Sequence, residues 1–141
     1  MALRFINVDL DIESNKSLDY LCLELTSGEV HHLHCGPSER GFFARLECAD
    51  GGDTCEPESI INRFCEAIEQ LDERATQEWK DAHHRCFDLG YEAIDSGHRW
   101  TSSLRHSTLS RVVAIGASVA FTAYPEDQSE QGGAGNPLPA Q

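Results

Sequence analysis

Residues 4–13 alternate without a break. Ile6, Val8, Leu10 and Ile12 fall on one side of an extended chain, and Asn7, Asp9, Asp11 and Glu13 on the other. A period of two marks a strand with one face on a core and one toward solvent. Asn15, Lys16 and Ser17 interrupt the pattern. Leu18, Leu21, Cys22 and Leu25 then recur at helical spacing behind Ser17, which can cap them.

Two further strands are predicted over 30–35 and 42–48, joined by a turn over 36–41. In the second of them Phe42, Ala44, Leu46 and Cys48 oppose Phe43, Arg45 and Glu47. Residues 49–55 (ADGGDTC) read as an exposed loop. Pro57 suits the first turn of a helix, with Glu58 at its positive end. Ile60, Ile61, Phe64, Cys65, Ile68 and Leu71 form its buried stripe. A second helix is expected over about 73–83, anchored by Ala75 and Trp79.

Phe87, Leu89, Tyr91 and Ala93 alternate as a strand. Ser96 and Gly97 make a turn, and Trp100, Ser102 and Leu104 place a hairpin partner over 98–104. Ser107 can cap a helix carrying Leu109, Val112, Val113 and Ile115, closed by Gly116. Val119, Phe121 and Ala123 form a last strand. The expected architecture is α+β: a mainly antiparallel sheet of about six strands with three to four helices on one face. One globular domain is expected over 1–125. A disordered acidic, Gly/Pro-rich tail is expected over 126–141, too polar to order itself.

Charge changes the picture more than composition does. Twenty-four acidic residues face 11 basic ones, a formal −13 in 141 residues. Such a field repels nucleic acid and anionic membrane, and favours a basic protein surface. The chain shows no apolar run of the ~20 residues that cross a bilayer and no signal-peptide segment at its start. The six cysteines are expected as free thiols, several in phase with apolar neighbours, in a reducing cytoplasm. No cofactor signature is present, and no cofactor is expected.

Three groups of residues could carry chemistry. The acidic row Asp9, Asp11 and Glu13 can dock a basic partner or, less directly, a hard cation. In the run 31–35 (HHLHC), strand alternation sets Leu33 with His31 and Cys35, leaving His32 and His34 together on the other face. Side chains about 7 Å apart on one face can serve a metal, but zinc requires three or four ligands. Cys35 beside His34, or Cys86 beside His83, could form a thiolate–imidazolium pair. Trp100, on an edge hairpin with His98 and Arg99, could anchor an interface. Gly51 and Gly52 lie between Asp50 and Asp53 with no lysine, which makes a turn rather than a phosphate loop.

Three segments carry a resemblance: 5–14 (FINVDLDIES), 86–91 (CFDLGY) and 109–124 (LSRVVAIGASVAFTAY). They resemble a family of small acidic bacterial proteins of unknown function. The resemblance implies a cytoplasmic domain ending in strand–helix–strand and carries no activity. In format alone, the chain is also similar to immunity proteins that neutralise bacterial toxins. The readings that follow are a protein-binding module with an acidic surface, a metal- or thiol-dependent enzyme on the 31–35 strand, and a structural or oligomeric protein without a ligand.

Overall fold

The computed structural model describes residues 2–49, 56–94, 97 and 99–125. In chain order the elements are β1 (Ala2–Ser14), α1 (Asp19–Leu25), β2 (Val30–Ser38), β3 (Gly41–Cys48), α2 (Pro57–Glu69), α3 (Glu73–Asp81), β4 (His84–Ile94), α4 (His106–Ala114) and β5 (Ser118–Tyr124). The fold is α+β, with the strands in one mixed sheet ordered β2-β3-β1-β4-β5. The first strand in sequence is therefore the middle strand in space.

Alternation decides which face is buried. Val8, Leu10 and Ile12 of β1, Ala44 and Leu46 of β3, and Phe87 and Leu89 of β4 are all enclosed. The stripe of α2 meets them through Ile61, Phe64, Cys65 and Ile68, with the Phe64 and Phe87 rings 5.6 Å apart. Each buried Val, Leu, Ile or Phe among them contributes roughly 1.5–3 kcal/mol by leaving water. Trp79 of α3 is buried, and its indole N–H donates to the Ile115 carbonyl at 2.8 Å, joining α3 to the end of α4.

Turn chemistry agrees with the sequence at Pro57 and Gly116, and one cap that the pattern does not single out is made by Asp72. Asp72 caps α3, its carboxylate accepting from the Ala75 amide at 2.8 Å. At the end of α4, Gly116 takes φ 76°, and the Ala117 amide reaches back to the Val112 carbonyl at 3.0 Å. Two expected caps differ. The N-cap position of α1 is Leu18, with the Ser17 hydroxyl accepting from the Asp19 amide at 3.2 Å. The N-cap of α4 is Arg105 rather than Ser107, and its amide donates to the Glu58 carboxylate of α2.

The expected sixth strand is absent among the described residues: 99–105 is irregular. Trp100 and Leu104 point inward from a loop that packs on the core, which reproduces alternation without a ladder. β4 has no free edge for a hairpin partner, because β1 pairs on one side and β5 on the other. The remaining difference is direction. Strands β1 to β4 pair antiparallel, whereas β5 runs parallel to β4, with Cys86 opposite Ser118 and Glu92 opposite Tyr124. The chain leaves the end of β4 and returns through α4 to its beginning, and such a crossover yields a parallel pair. Residues 50–55, Ser96, His98 and the expected tail 126–141 lie outside the described residues.

Two bulges reset the alternation. In β1, Phe5 pairs with Tyr91 and Asn7 with Gly90, so Ile6 has no partner in β4. Phe5 thus joins the core side, its ring 5.7 Å from that of Tyr91, while Ile6 is exposed. In β2, His32 pairs with Leu46 and His34 with Arg45, which leaves Leu33 as the extra residue.

Candidate functional site

On the side of the sheet away from the helices, register lines residues up in rows across the strands. Glu47, Asp9 and Asp88 stand opposite one another on β3, β1 and β4, and His31 of β2 continues the row. The next row is His34, Arg45, Asp11 and Cys86. The third is Phe43, Glu13 and His84. Directly opposed side chains are about 4.5–5.5 Å apart at their Cβ atoms, so the carboxylates of three strands converge near the middle of the face.

Arg45 organises this cluster. Its Nε and Nη2 donate to the two carboxylate oxygens of Asp11 at 2.7 and 3.0 Å, the bidentate geometry that guanidinium favours. Its Nε is also 4.0 Å from Asp9 Oδ2, and the guanidinium lies 5.4 Å from the centre of the Phe43 ring. The neighbours of the central row are held too. His31 Nε2 is 2.6 Å from Glu47 Oε1, and the Thr122 hydroxyl donates to Asp88 at 2.7 Å.

Asp9 has the least favourable position. Asn7 donates to it at 3.2 Å, but Arg45 is spent mainly on Asp11. Burial, with the charges of Asp11, Glu47 and Asp88, pushes its carboxyl up to about 6 against the pull of Arg45. Burial first, and the acidic neighbours after it, thus penalise this charge by more than Arg45 offsets.

The structure brings the expected acidic residues Asp9, Asp11 and Glu13 onto one open face. Glu13 is at its margin, its side chain 44% exposed and 4.0 Å from His84 Nε2. Sequence reasoning missed Arg45, Glu47 and Asp88 as members. Their faces follow from the alternation of β3 and β4, but their positions beside β1 depend on register. Trp100 stands elsewhere, partly buried and packed edge-to-face on Tyr91 at 5.1 Å between ring centres.

His32 and His34 are not brought together. The bulge at Leu33 turns His32 to the side of Leu46 and His34 to the side of Arg45, where its ring lies 5.7 Å from that of Phe43. Cys35 pairs with Ala44 and faces the helices, away from His34. At Cys86, burial and the carboxylates of Asp88 and Asp11 push the thiol up, opposing formation of a thiolate. Among the described residues no group of three His, Cys, Asp or Glu side chains is placed to hold a metal ion. Nor is any helix among them long and apolar enough to cross a membrane. Comparison with protein-family models, with curated proteins and with solved structures gave no match to this chain.

Proposed function

We propose that this protein is a non-enzymatic, cytoplasmic binding module whose open sheet face receives a basic segment of a partner protein. The observation that carries this reading is the row Glu47–Asp9–Asp88, three carboxylates side by side on adjacent strands with Arg45 committed to Asp11. Burial is the main cause that holds Asp9 near 6, and a lysine or arginine laid across the row would relieve the repulsion from Asp11, Glu47 and Asp88 that adds to it. The energy that the fold loses there becomes available on binding. The same field disfavours nucleic acid and anionic lipid. Rigid strands give the face a fixed spacing, which suits an extended or helical basic segment better than a small ion.

The test compares the full chain with Asp9→Asn/Asp88→Asn, a pair that removes charge while relieving repulsion and so leaves the fold intact. Each is immobilised in native lysate at low salt and eluted by raising salt. The expected result is a basic protein retained by the wild type, released by salt, and associating at least tenfold more slowly with the variant. Association unchanged by the two substitutions would remove this face as the site.

A further inference from the structure

Cys22 and Cys35 meet at the boundary between α1 and the edge strand β2. Cys22 lies on the inner side of α1 and is buried. Cys35 faces it from β2, opposite Ala44, and is half-buried, the more accessible residue of the two. The Sγ atoms are 2.9 Å apart. A disulfide requires about 2.05 Å, which leaves a gap of roughly 0.9 Å for the two side chains to close. The second polar neighbour is Asp19, whose Oδ1 is 3.9 Å from Cys35 Sγ.

We propose that Cys22 and Cys35 are a dithiol modification site that closes reversibly to a disulfide with small-molecule disulfides of the glutathione type. Cys35 loses its proton to water and attacks one sulfur of oxidised glutathione. That S–S bond breaks, and one glutathione leaves as a thiolate that takes up a proton. Cys22 then loses its proton and attacks Cys35 Sγ, displacing the second glutathione, which is protonated in turn. Two protein thiols are oxidised and one glutathione disulfide is reduced to two thiols.

Burial holds both thiols above their ordinary range, and at Cys35 the Asp19 carboxylate adds to it. Closure is therefore slow and follows accumulated oxidant rather than brief exposure. When formed, the bond staples α1 to the edge of the sheet. That edge strand carries His31 and His34 to the open face, so the staple fixes one border of it.

The test equilibrates the full native chain with defined mixtures of reduced and oxidised glutathione, followed by acid quench and mass spectrometry. No Lys or Arg separates the two cysteines, whereas Glu24 and Glu29 do, so cleavage after glutamate resolves them into separate peptides. The expected product is the Cys22 peptide joined to the Cys35 peptide, with two hydrogen atoms lost and no glutathione attached. Cys22→Ala should instead trap glutathione on Cys35, and Cys35→Ala should lose the linkage. The oxidised wild type should unfold on the order of 5 °C higher than the reduced form. Linkage to a different cysteine, or linkage that forms only in denaturant, would overturn the proposal. So would a native wild type that accumulates glutathionylated Cys35 without closing.

Discussion

Leu10 and Asp9 are neighbours in the chain and stand on opposite faces of the same strand. Leu10 is fully enclosed, opposite Leu46 on one side and Phe87 on the other. Asp9 keeps 19% of its side chain exposed and is flanked by Glu47 and Asp88. The inner face is held by volume: what matters is that the space between strand and helix is filled. The outer face is held by charge balance, with Arg45 offsetting part of an acidic excess. Substitutions that change volume are costly on the first, and substitutions that change charge matter on the second.

The sharpest way to break this contrast is Leu10→Ala. The cavity should cost about 3–5 kcal/mol in a urea unfolding experiment, and a loss below about 1 kcal/mol would mean that the inner face is not the main core. Arg45→Met comes next. It leaves Asp9, Asp11, Glu47 and Asp88 facing one another, and should cost about 1–2 kcal/mol at pH 7, discounted because the Arg45 side chain is 42% exposed. The loss should shrink at pH 5 as carboxylates take up protons. An unchanged loss at pH 5 would point to packing on Phe43 rather than charge.

Asp9→Asn sharpens the comparison by sign. Asp9 holds its proton up to about 6 in the fold but only to about 3.8 when unfolded. Between those values the folded state binds more protons, so the stability that Asp9 contributes falls as pH rises through that window and stays low above it. Asn removes the penalty. The variant should be more stable than the wild type at pH 7, by less than about 1 kcal/mol given the solvent contact, and the gain should vanish near pH 4. A loss at pH 7 would show that Asp9 is already paired. The smallest effect is expected from Glu13→Gln at the margin, within about 0.5 kcal/mol, with a measurable slowing of association with a basic partner as its only clear signature.

Much of this was legible in the sequence wherever local chemistry decides it. Pro57 with the stripe from Ile61 to Ile68 specifies α2, and Ala75 with Trp79 marks α3. The alternation from Val8 to Glu13 sets both faces of β1. The bulges were not legible. Ile6 and Leu33 are apolar and keep the alternation in phase on paper, yet each is an inserted residue whose removal from the ladder turns its neighbours over. That single geometric fact separates His32 from His34 and moves Phe5 to the core. The candidate site was legible one strand at a time. Asp9 and Asp11 could be read from β1, and the faces of Arg45 and Asp88 from β3 and β4. Their convergence depends on register, which distant packing and the hairpin turn at Gly41 determine rather than any local signal.

The position of β1 in the middle of the sheet bears on how the chain reaches its folded state. Its partners are β3, complete only at Cys48, and β4, complete only at Ile94, so as the protein is made the first strand must wait with both edges unpaired for β3 and with one edge unpaired for β4. A waiting strand with a row of apolar side chains is a template for the same strand on a neighbouring nascent chain. Parallel in-register stacking of two such strands would set Asp9 on Asp9, Asp11 on Asp11 and Glu13 on Glu13. The acidic row therefore acts as a gatekeeper: it discourages self-association during synthesis, and the antiparallel partner β3 later brings Arg45 to pair with Asp11 and partly offset Asp9.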